Sequence, residues 1–233
     1  NQDLYAWPYR KLRQRNTKVN ESVQDGRIDL SNVVSERSLN KTQTFSIIVS
    51  GWPAVGKTTV AAELADEFGL TLYNGGDILK QIATNLGYRT SGTDWWDSKE
   101  GKQFMEKRKS DHTSDIEVDN KLKDIIKKGN AVVTSYTLPW LVEDKCVKLW
   151  LQGSPKNRAI RMAKRDNISI AEAAEIVKER DRKNKQIYQE LYSFEFGNDL
   201  SVFDFSLNTD MMNLECLIEI SKDIIRKVKN RLA

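Results

Sequence analysis

Eight consecutive residues, Gly51-Trp52-Pro53-Ala54-Val55-Gly56-Lys57-Thr58, constrain this chain more than any other feature of it. They fit G-x-x-x-x-G-K-[ST], and their flanks are those such a string requires. Ahead of them, Phe45-Ser46-Ile47-Ile48-Val49-Ser50 is an apolar, β-rich stretch that predicts a buried strand. Behind them, between Thr58 and Phe68, Val60, Ala61, Leu64, Ala65 and Phe68 recur at helical spacing, and Gly69 supplies a stop. Strand, glycine turn and helix in this order aim successive backbone N–H groups and the positive end of a helix at one point, a cradle for phosphate. Within such a cradle Lys57 reaches β- and γ-phosphates and the Thr58 hydroxyl ligates Mg²⁺. Gly51, Pro53, Ala54, Val55, Gly56, Lys57, Thr58 and Thr59 are the expected nucleotide-binding residues. Trp52 is bulky for a loop of this kind, and packing under the loop is preferred over contact with the ligand.

The alternation begun there continues. Leu70–Tyr73 reads as a strand, Asp77–Leu86 as a helix ending at Gly87, and Ile116–Lys128 as a helix closed by Gly129. Strands at Ala131–Ser135 and Val147–Gln152 follow, and Pro155 opens a helix in its first turn, where a missing N–H costs nothing. Ser169 and Glu172 form a capping box ahead of a long charged helix reaching about Tyr192. Val202–Leu207 is a fifth strand and Leu214–Val228 a closing amphipathic helix. Five short strands separated by helices predict an α/β fold, a parallel sheet covered on both faces.

Composition excludes other classes. No apolar run approaches the roughly 20 residues of a membrane-spanning helix, and the start does not resemble a secretion signal, so a soluble, cytoplasmic protein is expected. Cys146 and Cys216, far apart in sequence, read as buried free thiols rather than a disulfide. The single histidine, His112, rules out sites needing two imidazoles and reads as a solvated loop residue. Chemistry must therefore run on lysine, arginine, carboxylates, hydroxyls or bound metal. The net charge is +4, and residues 1–44 hold eight basic against five acidic residues, so most of the excess lies in this arm. The arm is polar and aperiodic, and a flexible tail is expected. Its Tyr5, Trp7, Tyr9, Arg10, Lys11, Arg13 and Arg15 also suit docking through Trp7, contact with single-stranded nucleic acid, or an oligomer contact.

A phosphate loop does not name a reaction, since motors, switches and small-molecule kinases share it. The chain is short for a motor core and lacks the Asn-Lys-x-Asp string of guanine-specific switches. Instead Arg158, Arg161 and Arg165 fall at i, i+3 and i+7 of one predicted helix, with Arg180 and Arg182 following. Planar guanidinium forks suit the charge that develops in phosphoryl transfer. The alternative is a solvated face paired with Glu172, Glu175 and Glu179.

From Phe45 onward the chain resembles the nucleoside monophosphate kinase group, closest to compact archaeal-type cytidylate kinases. The strings that carry the likeness are Ser50 to Thr59, Gly76-Asp77-Ile78-Leu79-Lys80, Lys128-Gly129-Asn130-Ala131-Val132-Val133, Arg158 to Arg165, and Asp199 to Asp204 with Asn208-Thr209. The resemblance implies a core of strand order 2-3-1-4-5, a mobile acceptor-binding segment over about 74–128, and an arginine-bearing lid over about 158–185. It implies that Lys57, Arg161, Arg165 and Arg180 act in catalysis, that one of the lid arginines Arg161 and Arg165 covers the adenine while the other contacts phosphate, and that Arg161 belongs with the nucleotide-binding residues. Asn74, Gly75, Asp77, Lys80 and Tyr136 then line the acceptor site, with Lys80 as the basic residue for the acceptor phosphate.

The chain departs from that family at marked places. At the end of the third core strand, where the family has an acid, a glycine and an arginine, it reads Thr134-Ser135-Tyr136. In the lid, Asn184 and Ile187 stand where an acid and an arginine are common. Asp77 and Asp119 are the carboxylates that remain to assist a metal, although an Asp near a helix start is more often a cap. The expected activity is ATP- and Mg²⁺-dependent phosphoryl transfer to a nucleoside monophosphate, CMP or dCMP first, by a monomer or homodimer. The alternatives are a related kinase acting on an RNA end or a metabolite hydroxyl, or a nucleotide-binding regulator with little turnover.

Overall fold

The computed structural model describes residues 45–90, 95–108, 110–143 and 145–231. The readings made for the arm of residues 1–44 lie outside the described residues. Five parallel strands form one sheet: β1 (Ile47–Gly51), β2 (Thr71–Asn74), β3 (Ala131–Thr134), β4 (Val147–Gln152) and β5 (Phe205–Asn208). Their order is β2-β3-β1-β4-β5, as the resemblance implied. Register is set by Ile47 opposite both Val132 and Val147, by Thr71 opposite Ala131, and by Leu149 opposite Phe205.

The helices are α1 (Lys57–Phe68), α2 (Gly75–Asn85), α3 (Lys99–Lys107), α4 (Thr113–Lys128), α5 (Leu138–Leu141), α6 (Pro155–Asp166), α7 (Ile170–Tyr192) and α8 (Leu214–Val228). Residues of β1 alternate between two apolar layers. Val49 packs with Val60, Ala61 and Leu64 of α1 and with Leu217 and Ile225 of α8. Ile48 packs on the other face with Ile82 of α2, Leu122 and Ile126 of α4, and Val133. This two-sided cover explains why β1 and β3 are buried throughout and read as unbroken apolar runs, whereas the edge strands β2 and β5 are partly exposed.

Helices α6 and α7 hold each other through a separate seam of Ala159, Met162, Ala163, Ala173 and Val177. The C-terminal half of α7 instead joins Trp150, Ile187, Tyr188 and Phe196 in an aromatic cluster beneath the loop that follows β1.

Several boundaries differ from those read in the sequence. Helix α2 starts at Gly75, because the Asn74 side chain accepts the Gly76 N–H and caps it two residues early. Helix α4 starts at Thr113, three residues before the apolar periodicity begins. Strand β5 runs from Phe205 to Asn208, so Val202 and Phe203 precede it. Helix α3 went unread because its sequence, KEGKQFMEK, buries only Gly101 and Phe104. Cys146 is buried as expected, but Cys216 is exposed, since it lies on the outer face of α8. His112 is half-buried rather than solvated, preceding α4 with Nε2 3.7 Å from Glu190.

The close approach of β1 to β4 makes one residue type obligatory. Gly51 has φ +140°, and a Cβ there would sit 2.0 Å from the Leu151 carbonyl oxygen. Gly51→Ala is expected to destabilise the fold by about 3 kcal/mol or more, adding backbone strain to overpacking. Urea unfolding of the two proteins measures the difference.

Candidate active site

The loop between β1 and α1 reverses the chain through two left-handed residues, Ala54 at φ 61° and Gly56 at φ 98°. Val55 between them is buried and ties the loop to the core formed by α1 and α8. Gly56 precedes α1 without a side-chain cap, and the first turn of α1 carries no acid. By contrast α2, α3, α6, α7 and α8 each begin on a side-chain cap, from Asn74, Ser98, Ser154, Ser169 and Asn213. An uncapped helix start carrying partial positive charge at a glycine-bounded loop is suited to an anion. Thr58 is exposed on that first turn and Thr59 half-buried beside it.

Lys57 folds back onto the loop. Its Nζ donates to the carbonyls of Gly51 at 2.9 Å and Trp52 at 2.7 Å and lies 4.6 Å from the ring centroid of Tyr136. Burial, with the charges of Arg158 and Arg180 adding to it against the opposing pull of Asp181, brings its pKa down to about 7. The Tyr136 ring therefore roofs the ammonium from the end of β3, and it meets Phe196 edge-to-face at 5.6 Å. Burial also raises the Tyr136 pKa, with Arg180 acting in the opposite sense.

The arginines of α6 separate by role. Arg158 is 2% exposed and pairs with Asp181 of α7 at 2.9 and 2.5 Å, while also donating to the Pro53 carbonyl at 3.4 Å. It is thus a structural clasp between loop and helices, although the sequence placed it with the others. Arg161, 36% exposed, reaches Thr209 after β5 through its hydroxyl at 2.8 Å and its carbonyl at 2.6 Å. Arg165, about half exposed, pairs with Asp166. Arg180 lies on α7 with its charge felt at both Lys57 and Tyr136. Of the pairings with glutamate foreseen for a solvated face, Arg182 with Glu179 at 2.8 Å is present.

Among the residues expected to line an acceptor site, Asn74 accepts from Gly76 N–H at 3.1 Å and from the Thr134 hydroxyl at 2.9 Å. Gly75 is buried, Asp77 is exposed on the first turn of α2, and Lys80 is half-buried one turn on. Asp119 is engaged by protein donors: its carboxylate accepts from Thr137 at 2.5 Å and from Tyr192 at 2.6 Å, and burial raises its pKa. Sequence reasoning missed the buried pair of Arg108 and Asp115, which closes the segment between α3 and α4. Its signal, an Arg followed seven residues later by an Asp, is too common to stand out. Among the described residues no group of three or more Asp, Glu, His or Cys could hold an ion. The donor set fits a magnesium ion carried in on a nucleotide, with the exposed hydroxyl residue Thr58 at the start of α1.

Comparison with known proteins now bears on this geometry. The family model described as the cytidylate kinase-like family matches residues 46–211. The chain belongs to the cytidylate kinase-like family. As a member it is a phosphotransferase with a nucleotide-binding phosphate loop. It is 31% identical over 179 residues to a cytidylate kinase of Pyrococcus horikoshii, covering 77% of this chain and 87% of that one. It is 34% identical over 182 residues to a cytidylate kinase of Pyrobaculum islandicum, covering 77% and 91%. A solved gluconokinase from Sinorhizobium meliloti 1021 superposes with TM-score 0.51 at 13% identity, covering 82% of this chain and 96% of that one, a likeness of fold alone. Among the described residues of this cytidylate kinase-like chain no helix is long and apolar enough to cross a membrane.

The lowered pKa of Lys57 has a measurable consequence. At pH 8 the free lysine is largely neutral, and a bound polyphosphate, opposite in charge, restores its proton. Nucleotide binding at pH 8 is expected to take up close to one proton. Affinity falls as pH rises through and above about 7, approaching about tenfold per unit, because the bound state holds the extra proton. Titration calorimetry in two buffers of unequal ionisation enthalpy checks this; zero uptake would mean that Lys57 does not meet the phosphates.

Proposed function

We propose that the chain transfers the γ-phosphoryl group of ATP to a nucleoside monophosphate, with CMP or dCMP as first candidates. The observation that carries this reading is an uncapped helix start behind a phosphate loop whose lysine lies within the field of Arg158 and Arg180. The relatives named cytidylate kinase supply the acceptor class.

In this reading a phosphate oxygen of the acceptor attacks the γ-phosphorus in line as the bond to the bridging β-oxygen breaks, and ADP departs. The nucleophile is already ionised near neutral pH, since the second phosphate pKa is about 6. No general base is needed, which suits a site whose neighbouring carboxylates are engaged: Asp119 by Thr137 and Tyr192, Asp181 by Arg158. Lys57 leaves the loop carbonyls to hold β- and γ-oxygens, and Thr58 would hold Mg²⁺. That ion, when bound, neutralises charge on the bridged phosphates. Arg161, Arg165 and Arg180 converge as α6 and α7 close as a lid, while residues 74–128 carry the acceptor. Closure excludes water, so transfer outruns hydrolysis. The shared apolar seam of α6 and α7 supports their movement as a unit.

A second reading, transfer to a hydroxyl, is favoured by the neutral Tyr136 at the end of β3. It would need a base, and Asp77 is the exposed carboxylate at the start of α2. ADP release measured with CMP and with cytidine separates the two: turnover of cytidine alone, lost in Asp77→Asn, would replace the first reading with the second.

Lys57→Ala is expected to abolish turnover, and Arg165→Ala to lower kcat by about two orders of magnitude, the loss typical of a charge-stabilising group. A normal kcat for Arg165→Ala would remove that residue from the mechanism. Tyr136→Arg is expected to lower KM for CMP, by restoring a cation beside the acceptor phosphate; initial rates across CMP concentrations measure it.

A further inference from the structure

Trp52 belongs to the phosphate loop by sequence, yet its side chain meets rings and cations from β4, α6, α7 and the segment after α7. The indole meets Trp150 of β4 edge-to-face at 6.0 Å and Phe196, beyond α7, at 4.9 Å. Two cations approach it from different helices, Arg158 of α6 and Lys185 of α7, each 5.4 Å from the ring. Gly197 lies so close beneath that a Cβ there would fall 2.3 Å from Cζ2 of Trp52, and its φ of +79° already favours glycine. The main chain of the same residue is tied to the nucleotide-binding lysine, because the Trp52 carbonyl accepts from Lys57 at 2.7 Å.

We propose that Trp52 is a positioning residue that couples nucleotide occupancy of the phosphate loop to the α6–α7 pair. This rests on the reading of that pair as a lid. When phosphate takes Lys57, the Gly51 and Trp52 carbonyls lose their donor, so the peptide whose hydrogen bonding changes on binding is the one that carries the clamped indole. A close-packed aromatic cluster transmits such a shift rather than absorbing it. The neighbours that receive it are Arg158, already bonded to Pro53 and Asp181, and Lys185. The direction is reciprocal: closing α6 and α7 reorients Trp52 and frees its carbonyl from Lys57.

Hydrogen–deuterium exchange on the full chain, with and without ATP and Mg²⁺, tests this. In the wild type ATP is expected to slow exchange over residues 156–185. Trp52→Phe, which keeps a ring between the cations, retains that protection. Trp52→Leu binds ATP within about threefold of wild type but loses the protection, and its kcat with CMP falls about tenfold, a split between binding and turnover. Lys185→Gln changes an exposed side chain, leaves folding intact and loses part of the protection. A Trp52→Leu protein with wild-type lid protection overturns the proposal. So does one whose ATP affinity falls as far as its kcat. If Trp52→Leu does not fold, full protection in Lys185→Gln overturns it. A wild type that binds ATP without any change over 156–185 sinks the coupling and leaves the kinase reading standing. A wild type that does not bind ATP sinks both, and absence of CMP turnover alone leaves the exchange result decisive.

Discussion

The site is organised around where the charge of Lys57 goes. Its Nζ donates to two carbonyls of its own loop under the ring of Tyr136, where burial brings its pKa down to about 7. That arrangement sets up the chemistry, because a lysine held uncomfortably in the resting site gains most from meeting an anion. It also explains Tyr136. A second cation at the end of β3 would face Lys57 across a partly desolvated gap, whereas the π-face of a phenol attracts the ammonium.

Around this lysine the arginines differ in burial. Arg158 is buried and doubly bonded to Asp181, and removing one partner of such a pair leaves a stranded charge. It anchors the loop to the helices. Arg161 and Arg165 are partly exposed, the first bonded to Thr209 beyond β5 and the second paired with its chain neighbour Asp166. Spacing alone puts all three on one face of α6; burial separates them.

Much of the core was legible because its signals are local. The apolar run of β1, the periodicity of α1 and the capping box at Ser169 each specify an element without reference to distant residues. Where the sequence misled, the deciding contact came from elsewhere in the chain. Asp119 reads as an available carboxylate until Thr137 and Tyr192 are seen to occupy it. Helix α2 starts early because Asn74 turns back on Gly76, and α3 was missed because so few of its residues are buried. Cys216 reads as buried from its apolar neighbours, but its position on the outer face of α8 exposes it.

The string from Gly51 to Thr58 by itself determined that this protein builds a phosphate cradle between a strand and a helix, since glycine conformation, helix polarity and one lysine act within a few residues of each other. The arrangement of matched strings likewise determined the family and the strand order that the sheet displays. Only the tertiary structure decided what surrounds each group there: that Arg158 clasps Asp181, that Asp119 accepts from Thr137 and Tyr192, that Tyr136 roofs the lysine, and that Trp52 packs against Trp150 and Phe196. Those outcomes depend on burial and on partners dozens of residues away, and solvation and pairing of a charged group are properties of a folded environment rather than of a residue type.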